Sequence, residues 1–252
     1  MATPRMSNLC SVEEARLTRS IFRRGAPLGQ ILRSMYDTGV LERVIPEFRR
    51  IRCLLQFNQY HHYTVDEHTL RAMEAVTSFE SDTGTLGEAY RAVHNKDVLH
   101  LAVLLHDVGK GGVEDHSELG RDIAGDVAER LGMSSHQRET LMFLIHKHLV
   151  MPDLALRRNI ADPEVYLPFS RDVGTPEVLR MLYVLSAADM IAVGPETVTT
   201  WKGGLLSDLY RRVLEVLSGE SIHLHEQELL RKKLDTVQLE LASIVQSGEL
   251  TA

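Results

Sequence analysis

Two adjacent residues, His106 and Asp107, place an imidazole beside a carboxylate at the end of an almost unbroken apolar run, LHLAVLLHDVGK (99–110). A helix this apolar is a buried one, and burying such a pair without partners costs several kcal/mol. The chain offers partners: His68 before the doublet, His116 and His148 after it, and Asp189 later. Imidazole and carboxylate donors without thiolates suit Mn, Fe, Co, Zn or Ni rather than Ca. Successive residues of a helix point about 100° apart, so His106 and Asp107 reach one ion only near a helix end, which Gly109 provides. His68, His106, Asp107 and Asp189 then hold one ion, and His116 and His148 complete a second with Asp107 bridging. Two such ions lower the pKa of a bound water and clamp a phosphate through attack and departure. Asp107 is thereby expected at the centre of catalysis. Lys110, just past the doublet, either grips a phosphate oxygen or satisfies the helix C-terminus.

Each of these residues falls on a helix face that is to be buried. Thr64 and Glu67 have capping-box spacing, which puts His68 in the first turn of a helix whose stripe continues through Ala72, Ala75, Val76 and Phe79. Alone, such a histidine reads more often as a satisfied core residue than as a ligand. Asp115 caps the next helix, with Glu118 three residues on, and His116 leads Leu119, Ile123 and Val127. In the helix opened at Ser134 the stripe Leu141, Leu144, Ile145 continues to His148, whereas His146 lies about 140° round from Leu141 and reads as solvated. Thr175-Pro176 opens a helix with Val178, Leu182 and Leu185 on one face, and Asp189 extends it. A carboxylate there needs a cation or a donor.

The rest of the chain reads as helices and connectors, with no strand-period segment. Residues 1 to about 24 form a polar, weakly amphipathic arm. Leu28, Ile31, Leu32 and Met35 mark a helix ending near Gly39, and Pro46 opens a short helix with Phe48, Ile51 and Leu55. Residues 57–63 and 81–87 are loops, and Asp162-Pro163 starts a further helix. After Pro195 comes a helix with Trp201, Leu205, Leu209 and Val213, stopped by Gly219. Leu230, Leu234, Val237, Leu241 and Ile244 then alternate four- and three-residue spacings, which fits either packing on the body or a homodimer seam. The expected fold is all-α in three parts: an N-terminal helical extension (1–56), a helical bundle carrying the donors (57–218) and a C-terminal amphipathic helix (219–252).

A 252-residue chain with 44% hydrophobic residues can build one large core. Its net charge of −7 offers no basic surface for non-specific nucleic-acid binding. Cys10 and Cys53 form no CxxC pair, no export signal is evident, and no apolar run approaches the roughly 20 residues that cross a bilayer. A reducing cytoplasm is expected.

The order His68 … His106-Asp107 … Asp189, with Gly-Lys after the doublet, resembles the HD superfamily of metal-dependent phosphohydrolases, and His116 and His148 match the extra histidines of its dinuclear members. Further stretches, GVLERVIPEF (39–48), YHHYTVDEHTL (60–70), LLHDVGKG (104–111), DHSELG (115–120), HLVM (148–151), RRNIADPEV (157–165), LYVLSAAD (182–189) and WKGGLL (201–206), are similar to the uridylyl-removing HD domain of bifunctional uridylyltransferase/uridylyl-removing enzymes. The resemblance spans about residues 28–218. It implies an HD-domain helical bundle and a divalent metal, Mn foremost, with Fe, Co, Zn or Mg as alternatives. It also implies hydrolysis of a phosphodiester such as uridylyl-O-tyrosine on the PII signalling protein, releasing UMP. His61 matches a histidine of that family. Arg157 and Arg158 match its arginines and either face a nucleotide phosphate or lie on the surface. Neither a nucleotidyltransferase motif nor an ACT domain is found, so uridylyl transfer and glutamine sensing are not expected. After Asp189 the family's arginine and Thr-Asn-Pro turn give way to Ile191, Val193 and Gly194. The alternative reading is a non-catalytic HD module that binds a nucleotide or a partner protein. Cyclic-dinucleotide and (p)ppGpp hydrolases fit less well, because their Gly-Tyr-Pro and Glu-Asp motifs are absent.

Overall fold

The computed structural model describes residues 12–55, 63–112, 115–194 and 199–219, which hold helices and connectors and no strand. In chain order the helices are α1 (Val12–Phe22), α2 (Leu28–Asp37), α3 (Leu41–Val44), a 3-10 turn (Pro46–Ile51), α4 (Val65–Ser78), a second 3-10 turn (Phe79–Ser81) and α5 (Thr85–Ala92). They continue with α6 (Lys96–Leu105), α7 (His116–Arg130), α8 (Ser135–Lys147), α9 (Val150–Arg157), α10 (Pro163–Val173), α11 (Pro176–Ala192) and α12 (Thr200–Leu217). The all-α expectation is met. No helix among the described residues is long and apolar enough to cross a membrane.

Helix α6 is the axis. Every residue from Asp97 to Leu105 is buried, and each Leu or Val so enclosed contributes about 1.5–3 kcal/mol over exposure. Helices α1, α4, α8 and α11 pack around it, α7 pairs with α8, and α12 lies against α9, α10 and α11. One apolar cluster runs from Phe22 to Val213.

Caps explain many helix starts. Asp115, Asp162 and Thr175 accept backbone N–H groups of the first turns of α7, α10 and α11, and Ser134 with Gln137 closes a full capping box on α8. Gly39 and Gly219 take left-handed φ values of +69° and +76° just past α2 and α12.

Several expectations need correction. Thr64 makes no capping bond to α4: its hydroxyl bonds Asp66, whose Oδ1 takes the Glu67 N–H, while the Glu67 side chain pairs with Arg33 and Arg71. Within the expected polar arm, the segment from Val12 is a helix docked on the core: Ala15, Thr18 and Phe22 are buried, and Arg19 pairs with the buried Asp97 at 2.8 Å. The stretch opened by Pro46 is a 3-10 turn, and Leu55 is exposed. The 81–87 loop is shorter than expected, since Asp82 accepts N–H groups of Gly84 and Gly87 and α5 begins at Thr85. Trp201 is 66% exposed, so the buried stripe of α12 is Leu206, Leu209, Tyr210 and Val213. The expected C-terminal helix and the loop up to His62 lie outside the described residues.

Candidate metal centre

All the predicted donors come from helix ends. His106 is the C-cap of α6 and His148 the C-cap of α8, while His116 is the first residue of α7, His68 sits in the first turn of α4 and Asp189 in the last turn of α11. Helix ends are where adjacent side chains can leave the regular 100° separation, and His106 Nε2 lies 3.3 Å from Asp107 Oδ2. Close backbone packing brings α7 to the doublet: a Cβ on Gly109 would lie 2.1 Å from the His116 carbonyl oxygen and 2.7 Å from the Gly120 nitrogen. The sequence identifies Gly109 as a helix stop, but not as the residue that lets two backbones touch.

The donors form two groups that share Asp107. On one side, His68 Nε2 is 2.9 Å from Asp189 Oδ1, 3.3 Å from His106 Nε2 and 3.8 Å from Asp107 Oδ2, and His106 Nε2 is 3.5 Å from Asp189 Oδ1. On the other, His148 Nε2 is 3.9 Å from Asp107 Oδ1 and its ring meets that of His116 edge-on, centroids 5.7 Å apart. Within each of the sets His68–His106–Asp107 and Asp107–His116–His148, one candidate ligand atom per residue lies within 4.8 Å of the others. The two Asp107 oxygens thus face different histidines.

Second contacts set the imidazoles. His106 Nδ1 is 2.8 Å from the Val103 carbonyl and His148 Nδ1 is 2.6 Å from the Ile145 carbonyl, each three residues back. Only an N–H can bond a carbonyl, so the neutral form of each ring carries its lone pair on Nε2, facing the cluster. Ser186 donates to the His148 carbonyl at 3.3 Å. These supports were not found from sequence, although a histidine closing an apolar helix is their signature.

Burial works against a charged His106, but the Asp107 and Asp189 carboxylates outweigh it and push the imidazole up, to about 10. Although burial opposes it, His106 and Lys110 hold Asp107 well below the usual carboxylate range, and His106 and His68 do the same for Asp189. Burial and the charge of His106 push His148 down. Protons and a divalent ion compete for these lone pairs. The donor set fits a cation: His116 Nε2 is buried with no hydrogen-bond partner among the described residues, an arrangement that costs about 1–3 kcal/mol unless something accepts its lone pair or proton.

Other predicted residues fall differently. Lys110 Nζ lies 2.7 Å from Asp107 Oδ2 with its side chain 11% exposed, so it neutralises the shared carboxylate. His146, expected to be solvated, is half-buried and pairs with Glu118 at 3.1 Å. The Arg157 side chain is 79% exposed and pairs with Asp153 at 3.1 Å, and Arg158 is the exposed C-cap of α9. Neither arginine has a contact within the cluster. His61 lies outside the described residues.

Residues 65–189 match the HD domain family. Curated bifunctional uridylyltransferase/uridylyl-removing enzymes are similar over most of the chain. That of Cereibacter sphaeroides is 42% identical over 204 residues, covering 79% of this chain and 22% of that protein. That of Caulobacter vibrioides is 41% identical over 201 residues (78% and 21%), and that of Ruegeria pomeroyi 43% over 195 (73% and 21%). The chain spans about a fifth of the length of these relatives. The matched range begins on the first residue of α4 and ends on Asp189, so that it encloses every donor described above, and the chain belongs to the HD family of metal-dependent hydrolases.

Proposed function

We propose that this chain hydrolyses a nucleotidyl phosphodiester, by resemblance the uridylyl-O-tyrosine of PII, in the cytoplasm, with divalent ions, Mn²⁺ foremost, held by two ligand groups. His68, His106, Asp107 and Asp189 form the first and Asp107, His116 and His148 the second. The observation that carries the reading is the division of Asp107, whose Oδ2 faces His68 and His106 while Oδ1 faces His148. Ions held there supply Lewis acidity toward a phosphoryl oxygen and toward the water that attacks phosphorus.

The chain's own residues do the holding and orienting. Val103 and Ile145 fix the two imidazoles through Nδ1, and Lys110 holds Oδ2 of Asp107 in a site whose burial excludes bulk water. In the net reaction the oxygen of water joins phosphorus, the bond from phosphorus to the tyrosyl oxygen breaks, a proton ends on that oxygen, and UMP leaves. Mn²⁺-loaded protein is expected to hydrolyse bis-p-nitrophenyl phosphate and to release UMP from uridylylated PII. His106→Ala and Asp107→Ala should each lower turnover by more than the roughly 10–100-fold cost of losing an outer supporting residue. Loaded protein that is inert toward both substrates and a broad phosphoester panel rejects the proposal in favour of a non-catalytic module.

A further inference from the structure

Asp66 is a buried carboxylate two residues before His68 that none of the preceding chemistry uses. It is 2% exposed and its carboxylate is fully engaged. Oδ2 accepts the Tyr36 hydroxyl at 2.5 Å and the Cys53 backbone N–H at 2.7 Å, Oδ1 accepts the Glu67 N–H at 2.9 Å, and the Thr64 hydroxyl donates as well. A buried carboxylate satisfied this fully rigidifies whatever its donors belong to.

Those donors belong to three pieces of chain. Tyr36 is on α2, and its ring carries the Arg52 guanidinium 4.5 Å from its centroid. Cys53 holds φ at +53°, the left-handed region that a non-glycine residue occupies only when its surroundings compensate. The Asp66 carboxylate is the group that receives the Cys53 N–H. The third piece is the first turn of α4, two residues before His68.

From Cys53 the restraint passes to the other side of the site. The Leu54 carbonyl accepts the Val65 N–H at 2.9 Å, and a Cβ on Gly111 would lie 2.9 Å from Leu54 Cδ2. Leu54 therefore sits directly on the turn that carries Lys110, whose Nζ is 2.7 Å from Asp107 Oδ2.

We propose that Asp66 is a positioning residue of the metal centre, its carboxylate tying Tyr36, Cys53 and the start of α4 together so that His68 and the Lys110 turn keep a fixed relation across Asp107. The inference rests on the metal-centre reading above and adds to it a residue that touches neither ion nor substrate.

The test compares Mn²⁺ dissociation constants, by isothermal titration, with thermal midpoints for wild type, Tyr36→Phe, Asp66→Asn and a remote control, Val213→Ala in α12. Tyr36→Phe removes one donor and leaves Asp66 in place, so it stays informative if Asp66→Asn fails to fold. Mn²⁺ affinity is expected to fall about 10-fold for Asp66→Asn and by a smaller factor for Tyr36→Phe, the scale of losing an outer supporting residue. Val213→Ala should lower the midpoint with no change in affinity. If Tyr36→Phe and any folded Asp66→Asn protein bind Mn²⁺ within twofold of wild type, Asp66 is merely structural and the inference is overturned. If wild type itself binds no divalent ion, the metal reading fails and takes this inference with it, an outcome the wild-type titration identifies by itself.

Discussion

His106 and His148 each have Nδ1 on a carbonyl three residues earlier, while His116 presents a buried Nε2 with no hydrogen-bond partner among the described residues. The first two are held by the protein's own carbonyls, whereas an ion at the proposed site would give the third a partner. His116→Phe is therefore expected to lower bound Mn²⁺ by about one ion per chain, read by elemental analysis, without lowering the thermal midpoint of metal-stripped protein, since replacing an unsatisfied buried polar group by an apolar one is close to neutral. Undiminished Mn²⁺ content would remove His116 from the ligand set. At this scale the sequence was informative where helical phase decides: it placed His148 and Asp189 inward and turned His146 away from them, without anticipating its pairing with Glu118. It was silent on Val103, Ile145 and Ser186, which act through backbone groups or across 38 residues of chain.

Among the elements, α1 was the least legible. Only Ala15, Thr18 and Phe22 are buried, too few for an apolar stripe, and its docking depends on distant partners. Arg19 meets Asp97 on α6, and the Phe22 carbonyl accepts from Nδ1 of His100, whose Nε2 is 3.0 Å from the Tyr90 hydroxyl. Helices α5 and α9, eight residues each, carry too little periodicity to stand out. The α1–α6 contact gives stability a pH dependence. Burial pushes His100 down to about 4, against 6.5 for a free histidine, so between those values the unfolded chain binds more protons than the folded one. Stability from His100 is intact above about pH 6.5 and falls as pH drops to 4, by roughly 3 kcal/mol in full. Urea midpoints of wild type and His100→Gln, followed from pH 7 to pH 4, should converge as pH falls. Parallel curves would show that His100 does not carry this dependence.

Across the whole molecule, α6 and the helices around it are one apolar body with polar donors gathered where helices end. Alternating apolar faces made the all-α body readable, whereas the joining of α6 to α7 depends on backbone atoms that no side-chain pattern reports. Because metal and folded structure are linked, Mn²⁺ at 100 times its dissociation constant should stabilise by about 2.7 kcal/mol, and chelation should reverse the shift in thermal midpoint. An unchanged midpoint would argue against binding to the native state.

The contact between Gly109 and His116 would also bear on which ions the proposed site admits. With one backbone already against the other, and no room for even a methyl group at 2.1 Å, the end of α6 and the start of α7 have no slack with which to widen. Ca²⁺ is larger than Mn²⁺ and seeks six to eight oxygen donors, so a stiff, nitrogen-rich cage rejects it both by radius and by chemistry. If the proposed site holds Mn²⁺, a large excess of Ca²⁺ should leave it in place, and part of that selectivity would trace to a glycine outside the ligand set.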